Sequence, residues 1–452
     1  MLRIVAGSPT VPRLLALGAL TLAGMTAAVP CARAAEVTDV LDAFDTDIED
    51  PFDFALRLRF DSDERKAAVV REIKCLAGDQ VGQQTCAKSS AVKFGKEVDY
   101  TRRRNTLNID ARFGLYKDLE VHATIPIVIY DGWQHKFAAG VTEKNSSVFT
   151  TPESESLFKV PFDSRTRSGL GDLSFGLKWS PFNYYRDRTQ PTWVFGVGMT
   201  VPTGTPMKAG NTGPGFGTSV LNLQTTMSRR ALTILEPFFH IHGDIRWGSS
   251  DGLFVLQPNS ATQADKDPGS IVGTAFGLTV VPWENIARDE RVEVEGGFGM
   301  DYVFRGRDYT EVWEALASDK NPCKASAGCT NTLHWKSDPD PTSGRLTTTD
   351  GIGDVEAYGK FYGWGALHYQ PIKYFQVSAK ILATNETPHF ISGGKYGVNL
   401  DPAKNQSIET SNTDGKNEFS PVFLPSIDTP GQRLRVQDVG NLTLVLAVTG
   451  KL

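Results

Sequence analysis

His240, His242 and Asp244 recur at every second residue, so in an extended strand their side chains leave on one face. Two imidazoles and a carboxylate on one face are donors of the kind that bind zinc. Histidines so placed more often hydrogen-bond along a pore wall, and no metal or cofactor is expected. Charged groups recur with the same period elsewhere: Asp110, Arg112, Glu120 and His122; Asp172 and Lys178; Glu236 and Arg246; Glu293 and Glu295; Glu356, Lys360 and Lys380. All are expected to line the inside of a barrel. Both signs are present. Across a narrow bore they either pair and close it or leave a weakly selective aqueous slot. No serine–histidine pair with an orienting polar neighbour stands out, and the glycine-rich 210–217 lacks the lysine and following helix of a phosphate loop, so no enzyme is expected.

The cysteines add a second kind of chemistry. Cys31 lies in a leader, leaving Cys75 with Cys86 and Cys323 with Cys329, separated by ten and five residues of polar sequence. In an exported chain two short-range disulfides are expected. Zinc is the weaker reading, because the spacings match no common pattern and no histidine is close.

The element that positions these groups is clearest at 104–130. Leu107, Ile109, Ala111, Phe113 and Leu115 fall on one face, and Asn108, Asp110, Arg112 and Gly114 on the other. After a polar turn at 116–118 the alternation resumes, with Leu119, Val121, Ala123, Ile125, Ile127 and Ile129 opposite Glu120, His122 and Thr124. This is a hairpin with one apolar and one charged wall, and each strand offers roughly ten alternating residues, the span of a tilted strand through a bilayer.

The pattern repeats at 52–60, 169–179, 192–203, 219–228, 232–247, 270–283, 291–305, 354–369, 373–386 and 434–452. The fold class expected is all-β: an antiparallel transmembrane β-barrel of about 12 strands with long extracellular loops. Connections alternate between short and long, as periplasmic turns and external loops do. Two long polar insertions carry helix candidates, at 64–73 and 310–317. Aromatics cluster at both strand ends, Trp179, Phe182, Tyr184, Trp283, Tyr369, Tyr374 and Phe375 at one and Tyr130, Trp133, Trp247, Tyr302 and Phe304 at the other, as two interfacial girdles. Glycines on strand faces, among them Gly273, Gly277, Gly297, Gly299, Gly359, Gly363 and Gly365, point to close backbone approach or tight curvature.

Residues 1–34 read as a cleaved signal peptide, with Arg3 and Arg13 ahead of an apolar run at 14–29 and an Ala32-Arg33-Ala34 site. Pro30 before Cys31 argues against a lipoprotein. Residues 35–51 are an acidic periplasmic segment, a flexible leader or a partial plug, and 52–452 the barrel. The chain is 40% hydrophobic, and no later apolar run reaches the roughly 18 residues of a membrane helix. A net charge of -5 leaves no footprint for nucleic acid. Arg102-Arg103-Arg104 sits where the external interface is expected and suits either lipopolysaccharide phosphates or a solvated rim.

Two stretches carry a resemblance. Gly169-Leu170-Gly171-Asp172-Leu173, followed by Gly176, Lys178 and Trp179, and then Thr200-Val201-Pro202-Thr203-Gly204 after the next turn, resemble outer-membrane proteins of the phenol-degradation MetA-pathway transporter type. The resemblance implies an outer-membrane barrel of a Gram-negative bacterium that passes small, hydrophobic or aromatic molecules. The competing expectation is a closed surface barrel used as a scaffold or adhesion platform. Membrane lipid, lipopolysaccharide and small solutes are the expected partners. The sequence leaves monomer and homo-oligomer equally open.

Overall fold

The computed structural model describes residues 38–41, 53–74, 80–81, 84–85, 92–148, 157–184, 186–232, 234–249, 254, 267–318, 351–400, 402–403, 408, 418, 420 and 423–451. The signal peptide and all four cysteines of the expected disulfides lie outside these residues.

Twelve strands follow one another around the wall: β1 (Phe54–Lys74), β2 (Val92–Tyr116), β3 (Leu119–Phe137), β4 (Leu173–Phe182), β5 (Thr192–Val201), β6 (Thr218–Ser228), β7 (Leu235–Gly248), β8 (Ile271–Asn285), β9 (Glu290–Val303), β10 (Tyr358–Ile372), β11 (Phe375–Glu386) and β12 (Leu434–Lys451). Each pairs antiparallel with its sequence neighbour. β1 closes the ring on β12, from Ala55 opposite Lys451 to Arg71 opposite Leu434. Closure leaves no unpaired edge, as lipid requires. The outward face is apolar, with Leu56, Leu58, Phe113, Ile125, Phe175, Leu177, Phe276, Phe298, Leu444 and Leu446 exposed along it. This is the surface of a membrane-spanning barrel of outer-membrane type.

Tight turns gather at one end. Asp118 (φ 51°) and Asp289 (φ 52°) occupy left-handed positions there, which aspartate tolerates. The long connections gather at the other end. The outward aromatics Trp179, Trp283, Tyr369 and Tyr374 mark the short-turn interface, and Tyr302 and Phe304 the other. Trp133 departs from its expected place in the girdle. It lies on the inward phase of β3, buried under the external loops.

The main departure is height. β1, β2 and β3 run for 21, 25 and 19 residues, far beyond the roughly 9–11 that span a bilayer. Residues 64–73 are therefore strand and not the expected helix. Their glutamate, lysine and alanine content favours a helix, but pairing with β2 on one side and β12 on the other outweighs that propensity. The second expected helix exists as α1 (Trp313–Ser318).

Above the membrane band the projecting strands turn apolar inward. Ala67, Val69, Val98, Tyr100, Val436 and Val439 pack there with Leu157, Phe158, Met207, Val312, Trp313 and Leu316 from the loops. The main hydrophobic core of the described residues is thus an external headpiece. The membrane-spanning part is lined instead by polar and aromatic groups.

The stretch 169–173 is a break in the wall rather than a strand start. A short strand, Arg167–Leu170, carries Gly169 at φ 130°, and two residues, Gly171 and Asp172, separate it from β4 at Leu173. Asp172, in the gap, accepts the backbone N–H groups of Gly204 at 3.0 Å and Phe216 at 2.8 Å. A Cβ on Gly204 would come within 2.8 Å of the Leu170 carbonyl oxygen. Both motifs of the resemblance therefore act here as one latch that pins the loop after β5.

Candidate functional site

The interior divides into three levels. At the short-turn end, residues 38–41 lie against the wall. Arg112 on β2 holds Glu120 on β3 in a two-pronged pair, Nε to Oε1 at 3.0 Å and Nη2 to Oε2 at 2.6 Å. The same guanidinium donates to the Asp39 carboxylate at 3.2 Å and to the Asp39 carbonyl at 2.8 Å. Leu41 donates its backbone N–H to Glu120 at 3.0 Å. Lys178 on β4 lies 3.9 Å from Glu120, His122 also 3.9 Å, and Lys451 on β12 lies 3.8 Å from Asp39. Thr38 reaches Ser228 on β6 at 2.8 Å, and Ser228 donates to the buried Glu236 at 2.6 Å. Asp110 pairs with Arg59 at 3.4 Å and accepts from Thr124 at 2.7 Å.

The middle level is a cavity of about 570 Å³. Its wall carries three aromatic rings that reach over glycines of the neighbouring strand. A Cβ on Gly277 would meet the Phe238 ring at 2.2 Å, on Gly297 the Trp364 ring at 2.4 Å, and on Gly299 the Tyr362 ring at 2.5 Å. These glycines are what lets the rings lie against the backbone and leave the bore open. Phe238 and Tyr362 lie 6.2 Å and 6.1 Å from Trp364 between ring centres. Lys380 places its ammonium 5.0 Å from the centre of the Trp364 ring, and Trp364 donates its indole N–H to Glu295 at 2.6 Å. His240 and His242 stack at 5.2 Å, on the Thr226 hydroxyl and the Asp301 carboxylate respectively.

The upper level is a clasp. Arg65 of β1 pairs with Glu386 of β11 and with Glu311 just before α1, both at 2.7 Å. Lys360 joins Glu386 at 3.7 Å. His135 bonds to the Glu311 carbonyl at 2.8 Å through Nε2 and packs against Tyr100, Phe158 and Phe162. Burial pushes its imidazole down to about 4, so it is neutral at pH 7. Arg167 and Glu314 form an ion pair beneath Trp133 and Trp313.

Most of the residues singled out from sequence meet at these levels. Asp110, Arg112, Glu120, His122, Lys178 and Glu236 surround the inner mouth. His240, His242, Glu295, Lys360 and Lys380 border the cavity. Asp244 accepts from Asn222 at 2.6 Å rather than joining the two histidines. Glu293 sits 2.7 Å from Arg291 near the short turns. Arg246 pairs with Asp308 at 2.9 Å near the outer rim. Glu356 is exposed outside the strands and accepts from Phe390 N at 3.2 Å. Strand alternation splits the arginine triplet: Arg102 and Arg104 turn onto the buried Asp131, and Arg103 faces out beside Glu64.

The cavity rings Phe238, Tyr362 and Trp364 and three charged contributors, Arg65, Glu311 and Asp39, are not singled out by the sequence. Arg65 lay in the segment that reads as helix. Glu311 and Asp39 sit in segments without period-two patterning, so nothing in the sequence aimed them inward.

No family model matches the chain, and no curated protein matches it. Among solved structures it is similar to the COG4313 outer membrane channel from Pseudomonas putida F1, at 10% identity and a TM-score of 0.34, over 86% of this chain and 95% of that one. It is also similar to a Pseudomonas aeruginosa FadL homologue, at 8% identity and 0.31, over 88% and 90%. A deletion mutant of the TodX monoaromatic hydrocarbon channel gives 9% and 0.29, over 88% and 90%.

Proposed function

We propose that the protein is a passive outer-membrane transporter for small molecules, and that its solutes are planar and aromatic. The observation that carries this reading is the middle cavity. A barrel used only as a scaffold has no need to keep about 570 Å³ open between its two closures, nor to line it with the rings of Phe238, Tyr362 and Trp364 held back by glycines. The half-exposed rings of Tyr362 and Trp364, backed by the buried Phe238, favour stacking of a planar solute, and the polar groups around them orient it. Arg65 marks the boundary with the outer clasp, and Arg112 the boundary with the inner mouth. In this reading the charged interior positions line the path, the leader is removed on export, and the four cysteines clip external loops.

Uptake by liposomes containing the refolded protein tests it. At about pH 8, where benzoate is ionised, it should enter faster than into empty liposomes, and Trp364→Ala should slow its entry severalfold. Benzoate uptake no faster with a folded wild-type barrel than into empty liposomes would reject the reading and leave a closed surface scaffold.

A further inference from the structure

The grip on residues 38–41 has the form of a binding site. One guanidinium clamps both the side chain and the backbone carbonyl of Asp39, and its partner Glu120 takes the N–H of Leu41. Contacts reach the segment from β2, β3, β6 and β12, so it crosses the bore as a chord. The charges are the informative part. Arg112, Lys178 and Lys451 converge on two carboxylates, and one of the two, Asp39, is carried by a segment outside the wall. When Asp39 leaves, Arg112 and Lys178 remain on Glu120 and Lys451 loses its 3.8 Å contact, so the mouth gains one positive charge. Unbalanced cationic charge in a confined, part-buried space draws in an anion, and a guanidinium matches a carboxylate best.

We propose that the inner mouth is a binding site for organic carboxylates, occupied in the resting protein by Asp39, and that a solute carboxylate on Arg112 displaces residues 38–41 as it passes. This rests on the passage reading above. It adds a site that selects anions, separate from the aromatic chamber. Asp39 acts as a tethered stand-in for the solute.

Two measurements test it. The Thr38 and Ser228 hydroxyls are 2.8 Å apart, so a T38C/S228C protein should cross-link under mild oxidation, as read by peptide mass. Benzoate should slow the cross-link severalfold, and toluene should not. Failure to cross-link without solute, or equal rates with and without benzoate, overturns the proposal. In planar bilayers with a potassium chloride gradient, D39A should shift the reversal potential toward anion preference, and R112Q/D39A should lose the shift. A D39A reversal potential identical to wild type also overturns it. Benzoate-sensitive cross-linking in a protein that passes neither current nor solute would retain the site and reject the passage reading.

Discussion

Arg167 and Glu314 form an ion pair at 2.7 Å with side-chain exposures of 0% and 1%, and the Arg167 guanidinium lies 4.5 Å from the centre of the Trp133 ring and 5.4 Å from that of Trp313. Glu314 also accepts the N–H of Gly210 at 3.1 Å. This one pair joins α1, the strand entering the wall break and the loop after β5, and so fixes the outer closure to three parts of the chain.

Removing one partner leaves a buried charge without its counter-ion. Glu314→Ala should therefore destabilise the headpiece by about 3–5 kcal/mol, and the double change Arg167→Met with Glu314→Leu by less than the single change. Chemical denaturation followed by Trp fluorescence in detergent reads the difference. A double variant weaker than the single one would contradict this account.

Stability of the outer closure should fall in mild acid through His135. Its pKa drops from 6.5 to about 4 on folding, so the unfolded state binds the extra proton between those values. The contribution is complete above pH 6.5 and is lost as pH falls toward 4, about 3 kcal/mol in all. Hydrogen exchange of the α1 amides at about pH 7.5 and 5 should show lower protection at the acid value. His135→Gln, which keeps a donor for the Glu311 carbonyl, should flatten the difference. Protection that is the same at both values in the wild type would rule the imidazole out.

Gly299 keeps the Tyr362 ring against the wall. Gly299→Val should push the ring into the cavity and cost about 1–3 kcal/mol from overpacking. Benzoate uptake should fall severalfold while the barrel still forms, as judged by circular dichroism. Undiminished uptake would mean that the ring does not border the path.

Asp172 should act through the loop rather than through the bore. Asp172→Ala strips the acceptor from Gly204 N and Phe216 N, at about 1–3 kcal/mol for unpaired N–H groups. Faster hydrogen exchange at Gly204 and Phe216, with the ion selectivity of the wild type, is the expected pair of results. Altered selectivity with unchanged exchange would place the carboxylate in the path instead.

The barrel was legible because lipid outside and polar groups inside write period-two alternation into each strand. That signal ends where both faces are covered. Ala67, Ala68, Val69 and Val70 are all buried, so the upper part of β1 carries no alternation and its composition reads as helix. Arg65, just below, was hidden with it. Asp172 keeps the alternating phase of β4 in the sequence, although it lies in the two-residue gap between the short strand Arg167–Leu170 and β4. The glycines Gly277, Gly297 and Gly299 were legible as places of close approach. What approaches them was not, because each ring comes from a neighbouring strand tens of residues away.

The external position of the main apolar core means that two solvents stabilise this protein. The barrel is held by lipid, which leaves its interstrand hydrogen bonds without competitors. The headpiece is held by water, which drives Phe158, Trp313 and their neighbours together. Urea, which weakens apolar association in water, acts on the second and barely on the first. The outer cap is therefore expected to loosen in urea that leaves the membrane ring closed, and the ring to open only when the bilayer itself is replaced.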